Sequence, residues 1–227
     1  MNGEATYARL SEAASEPYRP AGRFAWQFAR GKLLGDPVFR YLLQARLIPE
    51  GARVLDLGCG QGLLAGLLAA AGTRIATYRG IEMMARDVVR AHRALGAGCG
   101  VERGDIRNAG FGSADVVVIL DVLHYMAPAE QDDVLRRVRQ ALQGGGVLLL
   151  RVGDAAAGLA FRFSNWVDWT VTLARGHGAT RFHCRSVAQW RSALEALDFQ
   201  VHAVPMSRGT PFANVLLCAR CNSPARP

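Results

Sequence analysis

The stretch Val54-Leu-Asp-Leu-Gly-Cys-Gly-Gln-Gly62 decides the fold of this chain. Its apolar start predicts a buried strand that ends at Asp56, and a helical pattern from Leu63 to about Ala71 follows it. A strand, a glycine turn and a helix in this order bring backbone close to a bound ligand and direct helix-terminal N–H groups at it. Glycine is needed because a Cβ atom would block that approach or forbid the backbone angles. The glycines of this turn are Gly58, Gly60 and Gly62.

Strand and helix patterns alternate along most of the chain around this turn, which predicts a parallel sheet with helices on both faces. The last two strands read as a closing hairpin. Before the first strand, Asp36-Pro37 predicts the start of a helix that runs to about Leu47, within a helical segment 1–50. The predicted strands are Arg53–Asp56, Arg74–Glu82, Gly100–Ile106, Ala114–Leu120, Val147–Val152, Phe199–Met206 and Asn214–Cys221. The predicted helices between them are Leu63–Ala71, Met83–Leu95, Pro128–Gln143 and one that begins at Ser186 with a capping-box pattern.

Composition restricts the classes of function. The 227 residues carry a net charge of +8, but only Lys32 is a lysine, and arginine in such excess beside abundant Ala and Gly indicates composition bias rather than a nucleic-acid surface. The chain opens without an apolar leader and has no run of about 20 uncharged apolar residues, so we expect a soluble, cytoplasmic protein. The five cysteines form no secreted disulfide framework, and Cys218-Ala-Arg-Cys221 lacks two further ligands for zinc. We expect reduced thiols and no metal.

The spacing of the glycines separates two classes of cofactor. A dinucleotide fingerprint reads G-x-G-x-x-G after the strand, whereas this chain has G-x-G-x-G followed by Leu63. Residues 54–62 resemble motif I of the class I methyltransferases that use S-adenosylmethionine. That resemblance implies a glycine turn under the methionine part of the cofactor, with Asp56 helping to orient it. It also implies a Rossmann-like, seven-stranded, mostly parallel sheet with an antiparallel last strand.

Polar groups follow the next two predicted strands, where an open sheet binds its ligand. By the same resemblance, Glu82 accepts the ribose hydroxyls, Asp105 accepts the adenine amino group, Ile106 packs on the ring and Met83 covers its other face. Each residue also has a purely structural reading, as a helix-start acid, a turn residue or a core side chain. Glu82 lies 26 residues after Asp56, farther than the usual ~20, and we expect the irregular Thr73–Arg79 stretch to absorb the difference.

The segment Asp121-Val-Leu-His-Tyr-Met126 follows the fourth strand. It resembles the D-x-L-H-[YH]-[LM] stretch that lies beside the transferred methyl in small-molecule methyltransferases. The resemblance implies that Asp121 belongs to the cofactor site and that His124 and Tyr125 are catalytic. His124 could accept a proton from the acceptor, or it could only line the pocket. The N-P-P-[FY] motif of enzymes that methylate nucleobase or glutamine amides is absent from the sequence, which counts against a nucleic-acid substrate.

Two segments carry more large apolar residues than the sheet needs, Arg19–Phe39 and Leu159–Leu173. We expect an N-terminal helical cap over 1–50 and a methyltransferase domain over 51–227 with a lid insert at about 154–182. Both apolar segments would fold over the transferred methyl, with core packing or peripheral membrane contact as alternatives. The interpretation is methyl transfer to a small apolar or aromatic acceptor, which includes acyl-type or aryl-polyene-like intermediates. The alternatives are an RNA methyltransferase and a non-catalytic, cofactor-binding partner subunit.

Overall fold

A computed structural model describes residues 2–154, 182–207 and 214–222. Its seven strands form one sheet in the order β3-β2-β1-β4-β5-β7-β6, with β7 antiparallel to its neighbours. This confirms the predicted Rossmann-like sheet with its antiparallel last strand. The strands are β1 Arg53–Leu57, β2 Thr77–Glu82, β3 Val101–Arg103, β4 Ala114–Leu120, β5 Leu142–Gly153, β6 Phe199–Pro205 and β7 Asn214–Cys221.

The helices described are α1 Asn2–Ser15, α2 Arg23–Gly35, α3 Pro37–Gln44, α4 Leu63–Ala70, α5 Ala85–Leu95, α6 Pro128–Ala141 and α7 Val187–Glu195. Short 3-10 helices cover Glu16–Ala21 and Leu123–Tyr125. The chain forms two compact units, Met1–Val116 and Val117–Pro227.

In the first unit, helices precede the sheet, as the sequence predicts. Asp36 caps α3 as expected, because its Oδ1 accepts a hydrogen bond of 3.1 Å from the Val38 amide. The helix ends at Gln44 rather than near Leu47, and Arg46 adopts a positive φ of 50° that no helix continues through. Helix α1 packs against α4, and the 3-10 helix Glu16–Ala21 packs against α5.

Strands β1, β2 and β3 pair in parallel, with Asp56 opposite Gly80 and Glu82 opposite Arg103. Strand β2 begins only at Thr77, which agrees with the irregular stretch expected before it. Strand β3 is much shorter than the predicted Gly100–Ile106. It ends at Arg103 because Asp105 starts a turn, in which its carbonyl accepts from the Asn108 and Ala109 amides.

In the second unit, β7 lies between β5 and β6 and is antiparallel to both. Helix α6 ends at Ala141, two residues before the predicted end, and the extended chain begins at Leu142 instead of Val147. Gly144, Gly145 and Gly146, which directly follow the predicted helix, therefore lie inside β5. The predicted capping box at Ser186 is present, because its Oγ accepts from the Gln189 amide at 3.3 Å.

The predicted lid insert at about 154–182, with the Leu159–Leu173 segment, falls outside the described residues except at its two ends, Asp154 and Phe182. Within the described ranges, no helix combines the length and the apolar character needed to cross a bilayer. All five cysteines carry free thiols rather than disulfides.

Candidate active site

The glycine turn joins β1 to α4 in the first unit. Gly58, Gly60 and Gly62 have φ values of 75°, 56° and 73°, a region that residues with a Cβ rarely adopt. A Cβ added to Gly60 would meet no atom within 4 Å, whereas one on Gly62 would lie 3.1 Å from Leu95. Glycine is therefore required at these positions by backbone geometry, and at position 62 also by close packing.

Asp56, at the start of this turn, is buried, and the Tyr78 hydroxyl donates to its Oδ2 at 2.6 Å. Burial raises the pKa of Asp56 to about 7; the Tyr78 hydrogen bond opposes the rise, and the negative charge of Glu82 adds to it. The carboxylate is thus costly to ionise without a ligand. A positively charged group placed beside it would offset that cost.

Glu82 ends β2 and organises the glycine turn from the neighbouring strand. Its Oε2 accepts from the Gly60 amide at 2.9 Å, and its Oε1 accepts from the Met84 amide at 2.7 Å. A carboxylate can accept about four hydrogen bonds, and these two hold the backbone on both sides of the site. Glu82 therefore couples the backbone of the turn to the position predicted to bind ribose.

The other predicted adenine contacts lie after β2 and β3. Met83 is 48% exposed, as a side chain available to cover a ligand should be. Ile106 is buried. The Asp105 carboxylate forms a two-pronged ion pair with Arg107, with the closest approach 2.6 Å. An adenine amino group would have to share Asp105 with this guanidinium, and the adenine role stays a prediction.

Gln61 is a candidate site residue that the sequence did not reveal. It lies between two of the glycines and is only 2% exposed, and its Oε1 is buried with no hydrogen-bond partner among the described residues. A buried acceptor without a partner is costly and indicates a missing donor. Together with the buried Asp56, it fits a cationic ligand that carries N–H groups, as S-adenosylmethionine does.

In the second unit, Asp121 follows β4 and forms an ion pair with Arg151 of β5, in which two guanidinium nitrogens approach the two carboxylate oxygens. The Arg151 side chain is 2% exposed, so the pair neutralises a buried charge. Asp121 also has a positive φ of 58°, which is uncommon for a residue other than glycine. The predicted cofactor role of Asp121 stays a prediction.

His124 and Tyr125 lie in the 3-10 helix that follows. Their ring centroids are 4.1 Å apart, and the Phe182 ring packs edge-on against both at 5.4 and 5.5 Å. His124 Nε2 is buried and has no hydrogen-bond partner in the part of the chain that is described. Burial lowers the pKa of His124, although the charge of Asp121 opposes this. The imidazole is therefore neutral near pH 7.

Gln131 of α6 holds this aromatic cluster in place. It is fully buried, and its Nε2 lies 3.0, 3.1 and 2.7 Å from the carbonyls of Leu123, Met126 and His183. The backbone amide of His183 also donates to the His124 carbonyl at 2.8 Å. Gln131 thus joins both backbone segments that flank the rings. Nothing in its surrounding helical pattern marked it for this role.

The seven-stranded order of the sheet and the glycine turn after β1 define a Rossmann-like, cofactor-binding α/β protein. A family model described as a methyltransferase domain matches residues 27–204. The chain therefore belongs to the class I S-adenosylmethionine-dependent methyltransferases, and the family and cofactor class predicted from the sequence are confirmed.

Two curated relatives share part of this sequence. A carboxy-S-adenosyl-L-methionine synthase of Chromohalobacter salexigens is 34% identical over 115 residues, which cover 48% of this chain and 43% of the relative. A ubiquinone biosynthesis O-methyltransferase of Xanthomonas axonopodis pv. citri is 30% identical over 122 residues, which cover 51% of this chain and 48% of the relative. The chain spans about half the length of these relatives.

Solved structures agree on the fold. The magnesium protoporphyrin IX methyltransferase of Synechocystis superimposes with a TM-score of 0.61 at 18% identity, covering 96% of this chain and 99% of that one. An S-adenosylmethionine-dependent methyltransferase of Mesorhizobium loti gives 0.61 at 22% identity, covering 80% and 97%. These similarities support the fold alone.

Proposed function

We propose that this protein transfers a methyl group from S-adenosylmethionine to a small apolar or aromatic acceptor. One observation carries the cofactor half of the proposal. Three glycines with left-handed backbone conformations follow the buried Asp56, and the amide of one of them, Gly60, donates to the buried carboxylate of Glu82. The family membership supports the reaction class. The acceptor half is supported by the Xanthomonas relative, whose name is that of an O-methyltransferase of ubiquinone biosynthesis.

The cofactor supplies an electrophilic methyl on a sulfonium, so the residues of this chain need only hold, orient and shield the reactants. Glu82 would accept ribose hydroxyls while it holds the glycine turn through the Gly60 amide. Asp56 and Gln61 would bind the ammonium group of the amino-acid end, since one is a costly buried carboxyl and the other is an acceptor without a partner among the described residues.

The aromatic cluster of His124, Tyr125 and Phe182 supports an apolar or aromatic acceptor. Aromatic rings favour edge-on and stacked neighbours, and the Phe182 ring already packs edge-on against the other two. His124 would take the proton of an acceptor hydroxyl, because its imidazole is neutral and its Nε2 has no partner among the residues described. Tyr125, which is 40% exposed, would contact the acceptor.

A binding experiment tests the cofactor half. In isothermal titration with S-adenosylhomocysteine, Glu82→Ala should lose about 1–3 kcal/mol of affinity, the value of charged hydrogen bonds. Asp87→Ala is the matched control, since Asp87 is also a buried acid but pairs with Arg90 on α5. Gly58→Val should abolish binding in a folded domain because of its positive φ. Normal binding by both Glu82→Ala and Gly58→Val would refute the site.

A transfer experiment tests the acceptor half. Labelled methyl from S-adenosylmethionine should appear on phenolic or other apolar acceptors, and His124→Gln should lower kcat by about 10²–10⁴-fold if it is the base. Tyr125→Phe, which keeps the ring, should leave kcat within a few-fold. A kcat for His124→Gln close to that of the wild type would assign His124 to pocket lining. Cofactor binding without transfer to any acceptor would favour the non-catalytic partner subunit.

A second candidate is carboxy-S-adenosylmethionine synthesis, which is favoured by the name of the 34%-identical Chromohalobacter relative. Mass spectrometry separates the two, because that reaction leaves the cofactor carboxylated whereas methyl transfer leaves S-adenosylhomocysteine. The third alternative, RNA methylation, has no support from the names of these two relatives. A sequence-specific RNA complex that survives physiological salt would revive it.

A further inference from the structure

Tyr18, in the 3-10 helix Glu16–Ala21, contacts the glycine turn although it lies far from it in sequence. Its side chain is completely buried, and its hydroxyl donates to the Gln61 carbonyl at 2.9 Å. We propose that Tyr18 is a positioning residue that fixes the backbone of the cofactor turn, so that the N-terminal segment controls cofactor affinity. This inference rests on the proposed cofactor site.

The bond acts on one peptide group, the one between Gln61 and Gly62. The carbonyl end of this group accepts from Tyr18, and its amide end donates to the Cys59 carbonyl at 3.0 Å. Both ends of the peptide plane are therefore held, and its orientation sets the φ of Gly62. Rotation of the plane would break both bonds together.

Glycine makes such a restraint necessary. Gly60 and Gly62 have φ values of 56° and 73°, but glycine populates positive and negative φ about equally, so these residues do not fix their own conformation. Gly62 is also the N-cap of α4, and the Gly66 amide bonds to its carbonyl at 3.1 Å. The orientation of this peptide thus sets where the turn ends and where the first amides of α4 point.

The hydroxyl of Tyr18 is suited to this role. Burial raises its pKa above the ordinary value of 10, so it is a protonated donor at neutral pH. The bond also fixes the backbone of Gln61, whose side-chain oxygen has no partner among the described residues. Loss of the hydroxyl should therefore disturb a residue of the proposed cofactor site as well as the turn.

Tyr7 offers a matched control. It is also a buried tyrosine of the N-terminal helices, and its hydroxyl donates to a backbone carbonyl, that of Leu33, at 2.7 Å. Tyr7→Phe and Tyr18→Phe each remove one buried hydroxyl and one bond to a carbonyl, and both should cost similar stability. Only Tyr18→Phe touches the glycine turn.

Titration with S-adenosylhomocysteine and amide hydrogen exchange of the unliganded protein together test the proposal. Tyr18→Phe should raise Kd about three- to tenfold and speed exchange at the Gly62 amide, whereas Tyr7→Phe should leave both near the wild-type values. Unchanged exchange at Gly62 in folded Tyr18→Phe, or equal effects of the two variants, would overturn the inference. If the wild type does not bind the probe, the proposed cofactor site fails, and the exchange measurement alone decides the role of Tyr18.

Discussion

Asp56→Asn is the most informative single substitution in this structure, because it removes a buried charge without changing shape. The pKa of Asp56 is raised from 3.8 to about 7 in the folded state. Between these values the unfolded chain has lost a proton that the folded protein still holds. The unfolded state therefore binds fewer protons, and stability falls as pH rises from about 4 to 7 and is then constant.

The size of this effect follows from the two pKa values. Each pKa unit of difference corresponds to about 1.4 kcal/mol. The raised pKa of Asp56 therefore lowers the free energy of unfolding by roughly 2 kcal/mol at pH 5 and by roughly 4 kcal/mol at pH 8. The unfolding free energy of Asp56→Asn minus that of the wild type should therefore be about 2 to 3 kcal/mol larger at pH 8 than at pH 5. His124 titrates in the opposite direction below its ordinary value of 6.5, but it contributes equally to both proteins.

Urea denaturation of the wild type and the variant at several pH values measures this difference. Asp115→Asn is the control: Arg53 lowers the pKa of Asp115 through a hydrogen bond, so this carboxyl is ionised in both states over this range. The difference in unfolding free energy between the wild type and Asp115→Asn should not change with pH. Carboxyl-carbon NMR of the folded protein gives the Asp56 pKa directly. An Asp56 titration midpoint below pH 5 would refute the reasoning. A difference in unfolding free energy between the wild type and Asp56→Asn that does not change with pH would also refute it.

Three further predictions concern stability and are measured by chemical denaturation. Gly80→Ala should cost about 1–3 kcal/mol because its Cβ would lie 2.6 Å from Cys59 Sγ. In a protein that also carries Cys59→Ala, Gly80→Ala should cost less, and an equal cost with and without Cys59→Ala would contradict the contact. Asp121→Asn should cost about 3–5 kcal/mol by leaving the Arg151 guanidinium buried without its carboxylate, and adding Arg151→Met should restore most of it. Gln131→Met should cost about 1–3 kcal/mol, since the side-chain amide that shares its two N–H groups among the Leu123, Met126 and His183 carbonyls is lost; a loss under 0.5 kcal/mol would contradict that role.

The sequence alone determined the order of the elements and the place of the glycine turn. Apolar runs such as Ala114–Leu120 and the G-x-G-x-G spacing are local patterns, and local patterns fix which segments extend and where the backbone must turn. The caps at Asp36 and Ser186 were predictable for the same reason, since a cap bonds to an amide two or three residues away. Boundaries that depend on other segments, as at the start of β5, were not predictable in this way.

Only the tertiary structure decided how the candidate site is held together. Tyr78 of β2 donates to Asp56 of the adjacent strand β1, Tyr18 donates to the Gln61 carbonyl from the N-terminal segment, and Gln131 donates to the carbonyl of His183, 52 residues away in sequence. The donor in each case is an ordinary tyrosine or glutamine with no spacing signature. Its partner is a carboxyl or a backbone carbonyl that the fold alone brings within hydrogen-bond distance. Long-range pairing of this kind leaves no periodicity in the sequence, because it arises from which surfaces pack rather than from which residues are neighbours.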